Sequence, residues 1–204
     1  MKLIYKGKYK NEEQLPKGVL PSNAVKFIEP DAPEGLASAA SRFILPALLL
    51  IALFVAASFL LHGELGISIH FMGGFIGILL SLLTLFPHEL LHAVFFGKES
   101  EVELYIIPNQ FMAFVYCNQP VTKKRFIVLS LFPNVIFGWL PLLVWVILPY
   151  IEIYSNILFV FSFAGVLHGI GDYLNVYNAS RQMPKGSMQQ LSGFNSYWFM
   201  PHDT

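Results

Sequence analysis

Four long apolar stretches dominate the chain, and each is long enough to form a helix that crosses a lipid bilayer. They cover approximately residues 43–61, 71–96, 126–151 and 153–175. A helix needs about 20 apolar residues to cross about 30 Å of hydrocarbon. The first stretch follows a polar segment of some forty residues, so it is not a cleavable signal peptide. The pattern predicts an all-α polytopic membrane protein with four transmembrane helices.

A different pattern separates the second and third stretches. Aromatic and β-branched residues at 102–107 and 111–116 flank the turn sequence Pro108-Asn109-Gln110. Such a pattern predicts a short β-hairpin. Residues 42–178 are then a membrane domain, preceded by a cytoplasmic segment (1–41) and followed by a cytoplasmic tail (179–204). The aromatic residues of that tail suit an interfacial helix or a lid over the substrate; they are Phe194, Tyr197, Trp198 and Phe199.

Composition and charge agree with a membrane location. The chain is 55% hydrophobic and 13% charged, which is too apolar for a soluble domain. All 13 Lys and Arg residues lie before the first stretch, between the second and third, or after the fourth. The positive-inside rule therefore places both termini and the hairpin in the cytoplasm of a multi-pass cell-membrane protein. The basic residues are topological anchors, and the net charge of zero gives no reason to expect a nucleic-acid partner.

The second stretch contains His88-Glu89-Leu90-Leu91-His92, where histidine and glutamate are costly. A charged side chain near the bilayer centre costs roughly 2.5–3.5 kcal/mol, so ionisable residues at this depth indicate a functional site. On a helix, His88 and His92 project from the same face and can take two corners of a zinc tetrahedron. Glu89 points to the neighbouring face, from which it can activate a water on the metal as general base.

A catalytic zinc needs a third protein ligand, and depth in the membrane indicates Asp172. The second and fourth stretches run in the same direction under the predicted topology. At 1.5 Å per helical residue, His88 and Asp172 both lie roughly 26 to 28 Å below the outer edge of the membrane. His168 is one turn before Asp172 on the same face. His168 can orient that carboxylate, stabilise an oxyanion or replace Asp172 as the ligand.

Three further features concern the same region. Asn134, after Pro133 in the third stretch, reaches the depth of the metal, where it can donate to a peptide carbonyl, donate to an oxyanion or cap the backbone that Pro133 frees. Pro87 is expected to bend the second helix next to the histidines. Glycines spaced four apart in the second and fourth stretches are expected to let these helices pack closely.

Two other kinds of function compete with hydrolysis. In one, the chain is a membrane metal carrier or sensor, although the outer half of each apolar stretch lacks the polar residues that a permeation path needs. In the other, it is a catalytically inactive scaffold for membrane partners, which the intact Glu89 argues against.

The motif residues together resemble a known family. His88-Glu89-Leu90-Leu91-His92, the hairpin, Pro133-Asn134 and Gly171-Asp172 resemble the site-2-protease-like intramembrane zinc metalloproteases. More narrowly, they resemble small bacterial membrane proteins known as putative zincin peptidases. The resemblance implies Zn²⁺ held by His88, His92 and Asp172, with Glu89 as base. It also implies that a membrane protein or peptide is cleaved in or near the bacterial plasma membrane. In the better-known site-2 proteases glycine follows the aspartate, whereas here Gly171 precedes it.

Overall fold

The computed structural model describes residues 1–64, 70–108 and 112–201. The helices are α1 (Pro33–Ser41), α2 (Ile44–His62), α3 (Phe71–Leu83), α4 (Leu85–Val94), α5 (Lys123–Asn134), α6 (Leu140–Ile147), α7 (Glu152–His168) and α8 (Ile170–Gln182). The strands are β1 (Lys2–Lys8), β2 (Val25–Lys26), β3 (Glu101–Ile107), β4 (Met112–Tyr116), β5 (Val121–Thr122), β6 (Met188–Ser192) and β7 (Asn195–Phe199). The predicted predominance of helix is confirmed. The prediction of an all-α fold is wrong, because these strands form two sheets.

The apolar stretches are helical along most of their length. Three helical segments are long and apolar enough to cross a membrane: Pro33–His62, Phe71–Val94 and Lys123–Ile147. The pair α7 and α8, bent by 45° at Gly169, makes a fourth if it is counted as one broken span. Their outer surfaces are exposed and apolar, as at Leu53 and Phe71. A surface of this kind suits contact with lipid rather than water.

The helix irregularities follow from proline and glycine in the sequence. The second apolar stretch is interrupted at Thr84, between α3 and α4, close to Pro87. Pro133 lies inside α5, and the chain then forms a π-helical turn over Val135–Trp139 before α6 begins. Proline has no N–H for the helix ladder, and π turns often accompany functional sites. These irregularities therefore lie beside the candidate site residues.

Glycines allow the helices to approach closely, as predicted for the second and fourth stretches. A Cβ on Gly77 of α3 would lie 2.8 Å from the carbonyl oxygen of Ile157, so α3 does pack directly against α7. Gly165 of α7 instead faces the π turn, where its Cβ would lie 2.1 Å from the carbonyl oxygen of Phe137. The predicted close packing of the second stretch on the fourth is therefore confirmed through the glycines of the second stretch, whereas Gly165 of the fourth stretch packs against the third.

The first sheet has the strand order β1-β3-β4. Strands β3 and β4 pair in antiparallel fashion, which confirms the predicted hairpin strands, while residues 109–111, which include Asn109 and Gln110 of the predicted turn, lie outside the described residues. Strand β1 adds to β3 in parallel. Because β3 is the central strand, one edge of β4 carries no strand in the described part of the sheet.

The second sheet has the order β2-β7-β6-β5 and uses the C-terminal aromatic residues. The expectation of an interfacial helix there is wrong: β6 and β7 form a hairpin that turns at Gly193, whose φ is +58°. A residue with left-handed backbone conformation suits a tight turn between two strands, and it interrupts a helix. Strand β7 pairs with β2 of the N-terminal segment, and β6 pairs with β5 before α5.

The N-terminal segment connects the two sheets. The carbonyl oxygen of Pro16 accepts hydrogen bonds from the Tyr116 hydroxyl at 2.6 Å and from the Gly193 N–H at 3.1 Å. The N-terminal segment, the β3–β4 hairpin and the C-terminal hairpin therefore lie together at one end of the helices. The division of the chain at 41/42 and 178/179 stays a prediction.

Candidate metal centre

Helix α4 presents two buried imidazoles from one face. His88 and His92 are 7% and 8% exposed, and their ring centroids lie 5.0 Å apart. This arrangement follows from the spacing of the two residues, because positions four apart in a helix lie one above the other.

Asp172 lies against both imidazoles. Its Oδ2 atom is 3.1 Å from His88 Nε2, and its Oδ1 atom is 3.3 Å from His92 Nε2. Asp172 belongs to the first turn of α8, which begins at Ile170 after the bend at Gly169. The bend thus lets a short new helix present its first turn to the histidines.

A backbone carbonyl orients His92. The Nδ1–H of His92 donates to the carbonyl oxygen of Leu129 at 2.7 Å, which leaves Nε2 as the lone-pair nitrogen toward Asp172. In a regular helix this carbonyl would accept from the N–H of the residue four positions later, but that residue is Pro133. The proline therefore frees the acceptor that fixes the His92 ring.

Asn134 holds Asp172. The Nδ2 group of Asn134 donates to Asp172 Oδ2 at 2.8 Å and to the Ser130 carbonyl at 3.2 Å. Asn134 is fully buried, and its Oδ1 atom lies 1.2 Å from the position that a Cβ on Gly169 would take. Only glycine at position 169 therefore leaves room for this carboxamide.

Glu89 lies beside the histidines and faces the first sheet. Its Oε2 atom accepts a hydrogen bond from the backbone N–H of Val115 in β4 at 3.2 Å. This N–H belongs to the edge of β4 that carries no neighbouring strand in the described part of the sheet. The carboxylate and a free strand edge thus meet at one place.

The side chains fit a zinc ion. Ligand atoms of His88, His92 and Asp172 all lie within 4.8 Å of one another. With bonds of about 2.0–2.1 Å, the ligand atoms of a zinc tetrahedron are about 3.3 Å apart. The distances from the two imidazole Nε2 atoms to the Asp172 carboxylate are of this size, 3.1 Å to Oδ2 and 3.3 Å to Oδ1. Within the described residues no fourth His, Cys, Asp or Glu joins this cluster. Three protein ligands with an open fourth position are typical of catalytic zinc sites.

The cluster opens into a cavity of about 590 Å³. Its walls include Glu89, His168 and Ser130 next to the cluster, and Glu29 and Gln189 on the side of the second sheet. His168 reaches the cavity but is not among the three clustered groups. The volume is within the usual range for ligand pockets, about 300–1,000 Å³.

Two ionisable groups in the cavity wall lie outside the apolar helices. Burial raises the pKa of the Glu29 carboxyl, although hydrogen bonds from the Ser196 N–H and Asn178 Nδ2 oppose this effect. Burial also raises the pKa of the Cys117 thiol. Cys117 is 3% exposed, so this thiol is a poor nucleophile at neutral pH.

The structure brings His88, His92 and Asp172 together and places Glu89, Asn134 and His168 around them, while their catalytic and metal-binding roles stay predictions. Sequence reasoning missed the carbonyl of Leu129, the space at Gly169, the N–H of Val115 and the position of Glu29. Pro133 was the available signal for the first of these, since a helical proline frees the carbonyl four residues before it. The other three features depend on how distant helices and strands pack against one another, which the sequence does not show.

No curated protein and no solved structure matches the chain. The model of a family described as "Putative zincin peptidase" matches residues 81–188, more than half of the chain. The matched range contains the three clustered side chains, Glu89, Asn134 and His168. A zincin is a zinc-dependent peptidase, so zinc is the implied cofactor. With its His-Glu helix and aspartate inside the matched range, the chain belongs to the Putative zincin peptidase family.

Proposed function

We propose that this protein is a site-2-protease-like intramembrane metallopeptidase of the bacterial plasma membrane, which cleaves membrane proteins or peptides near the cytoplasmic surface. One observation carries the proposal: the His88, His92 and Asp172 cluster and the Glu89 carboxylate share a cavity at the end of helices with apolar outer surfaces. Family membership supports the peptidase chemistry, and the apolar helices support the membrane setting.

The arrangement of the sheets supports the proposed topology. The basic residues lie in the N-terminal segment or close to the β3–β4 hairpin and the C-terminal hairpin, and strands of these segments pair with one another. Segments that share a sheet lie on the same side of a membrane. Under the positive-inside rule that side is the cytoplasm, with both termini and the metal centre near it.

The free edge of β4 is the proposed binding place for the substrate backbone. A substrate segment that adds to an exposed strand edge forms main-chain hydrogen bonds and is held extended. This matters for a transmembrane substrate, whose peptide carbonyls are hydrogen-bonded inside its own helix until it unwinds. Because the Val115 N–H faces Glu89, a strand on this edge runs past the general base.

The chain's own groups have distinct roles in the hydrolysis. Zinc, held by His88, His92 and Asp172, acts when bound as a Lewis acid that polarises the scissile carbonyl and lowers the pKa of water. Glu89 takes a proton from the attacking water while the oxygen of that water bonds to the carbonyl carbon. Glu89 then gives that proton to the leaving nitrogen as the carbon–nitrogen bond breaks. His168, on the cavity wall, supplies a ring N–H to the developing oxyanion.

Parallel substitutions test this function. The full chain is reconstituted in liposomes with a single-span reporter protein, and both bound zinc and cleavage are measured. Glu89→Gln should keep the zinc and lower cleavage by about 10²–10⁴-fold, the usual contribution of a general base. His92→Ala should lose zinc and cleavage together. Glu101→Gln and His62→Ala are control variants with the same types of substitution outside the cavity. Their zinc content and cleavage should equal those of the wild type.

Each outcome separates the competing functions. Full cleavage by Glu89→Gln would contradict the proposed mechanism. Zinc binding by the wild type without cleavage would favour the carrier or the scaffold. For the third ligand, Asp172→Ala should lower zinc content more than His168→Ala does. The reverse order would make His168 the ligand.

A further inference from the structure

The catalytic cavity has a second polar wall, remote from the metal cluster along the sequence. The second sheet and the segment before α1 contribute it, through Glu29, Gln189, Leu191 and Ser196. Cross-strand partners lie on one face of a sheet, and the pairing of Leu191 with Ser196 places both toward the cavity. A substrate strand in the cavity would therefore meet this sheet on the cytoplasmic side of the cleavage site.

Glu29 gives this wall a negative charge. Its carboxylate accepts from Asn178 Nδ2 at 3.1 Å and from the Ser196 N–H at 3.3 Å, both neutral donors. In the described part of the chain, no Lys or Arg forms an ion pair with it. The nearest lysine in sequence, Lys26, forms its ion pair with Asp31 and acts on Glu29 only through its charge, which lowers the pKa of the Glu29 carboxyl. The carboxylate is thus held by neutral donors and has no ion pair of its own among the described residues.

The part of the cavity wall that the structure describes is short of positive charge. Among these residues three carboxylates line the cavity, those of Glu29, Glu89 and Asp172, and no Lys or Arg does. A divalent ion at the cluster balances two of these negative charges, so one remains when the imidazoles are neutral. Closed, partly desolvated cavities strengthen such an imbalance, because charges interact more strongly in low dielectric.

Gln189 adds an unsatisfied donor to the same wall. It is 4% exposed, and its Nε2 group has no hydrogen-bond partner among the described residues. A buried donor without an acceptor is costly, because it gives up the hydrogen bonds that it makes to water in the unfolded chain. An acceptor on a bound chain, such as a peptide carbonyl, would remove that cost.

We propose that Glu29 and Gln189 form a subsite that binds a lysine or arginine residue of the substrate, Glu29 pairing with the cationic side chain and Gln189 with the peptide backbone. This inference rests on the proposed function. Membrane proteins carry Lys and Arg at the cytoplasmic ends of their helices, so suitable residues are common at this level. The fixed separation between Glu29 and the metal cluster then sets which peptide bond is cleaved, counted from the basic residue.

Matched substrates test the subsite. Single-span reporters differ at one cytoplasmic juxtamembrane position, which is Lys, Gln or Glu, and kcat/KM is measured in liposomes. The wild type should prefer the Lys reporter over the Gln reporter by about tenfold, in line with a partly buried charge-assisted contact. Glu29→Gln should bring this ratio close to one. Glu29→Lys should shift the preference to the Glu reporter, a reversal that a purely structural role for Glu29 does not produce.

Two controls separate charge recognition from folding. Asn178→Ala removes a hydrogen bond that positions Glu29 but leaves its charge, so it should lower the Lys preference less than Glu29→Gln does. Glu103→Gln removes a carboxylate outside the cavity, one that pairs with Lys6, and should keep the Lys preference. An unchanged preference in Glu29→Gln, or an equal loss on both reporters, would overturn the subsite.

Binding keeps this test independent of catalysis. The affinities of the Lys and Gln reporters are compared in Glu89→Gln and in the double variant Glu29→Gln/Glu89→Gln. The subsite is supported if the Lys reporter binds more tightly than the Gln reporter to Glu89→Gln but not to the double variant. Equal affinities of the two reporters for Glu89→Gln overturn the subsite, whether or not the wild type cleaves. Preferential binding without cleavage by the wild type contradicts the proposed function alone.

Discussion

His92 is held by a carbonyl that Pro133 sets free. The His92 Nδ1 atom lies 2.7 Å from the carbonyl oxygen of Leu129, four residues before the proline in α5. Groups that hold the second nitrogen of a metal-binding histidine fix its tautomer and its direction. A proline in one apolar helix thus orients a histidine in another.

Pro133→Ala should weaken zinc binding. Alanine restores an N–H at position 133, and the Leu129 carbonyl would then accept from its own helix as well as from His92. Loss of such a supporting contact usually lowers metal affinity by about 10–100-fold, and we expect the lower end because His92 can still share the carbonyl. Zinc affinity is measured by competition with a chelator. Pro141→Ala, at the start of α6, should leave it unchanged, and equal affinities for both variants would contradict this role of Pro133.

Asn134 and Gly169 form a second linked pair. The Asn134 carboxamide donates to Asp172 and fills the space beside Gly169 where a Cβ would otherwise lie. Gly169→Ala should therefore displace Asn134 and lower zinc affinity about as much as Asn134→Ala does, by about 10-fold or more. The readout is the same chelator competition.

The double variant distinguishes a shared cause from two separate effects. In Asn134→Ala/Gly169→Ala the clash is absent, so the double variant should be no weaker than Asn134→Ala alone. Residues in contact show such non-additive behaviour, whereas independent sites add. Additive losses of affinity would show that Gly169 acts on the site through something other than Asn134.

Much of this site could be predicted from local patterns. The apolar stretches and the spacing of His88 and His92 depend on helical periodicity, which a sequence shows directly. Asp172 was found from its predicted depth in the membrane. In two helices that run in the same direction, residues at equal distances from the outer edge of the membrane lie at the same level and can meet. The structure places the Asp172 carboxylate against both imidazoles.

The sheets could be predicted only in part, because strand pairing between distant segments is not visible in a sequence. The β3–β4 hairpin carries a local turn signal and was predicted. Strand β2 is only two residues long and pairs with β7 from the other end of the chain. Glu29 reaches the cavity only through this pairing, so no nearby motif indicates its place.

The packing of α3 on α7 should control the stability of the whole centre. Helix α3 leads into α4 with its two histidines, and α7 leads into α8 with Asp172, so their contact sets the separation of the ligands. On Gly77 a Cβ would meet the carbonyl oxygen of Ile157 at 2.8 Å and the Cβ of Val160 at 2.9 Å. Gly77→Ala should force the helices apart and destabilise the fold by about 1–3 kcal/mol, as overpacking does.

Gly74→Ala is the matched control, one turn earlier on the same helix. Its Cβ would have only an ordinary contact, 3.6 Å from Asn156 Oδ1. Alanine also favours a helix over glycine by about 1 kcal/mol, so this variant should be as stable as the wild type or more stable. Unfolding of both variants is followed in detergent micelles together with zinc release. Because α3 holds the histidines against Asp172, zinc should be released from Gly77→Ala at a lower denaturant concentration than from Gly74→Ala. The reverse order would show that the contact between α3 and α7 does not set the ligand geometry.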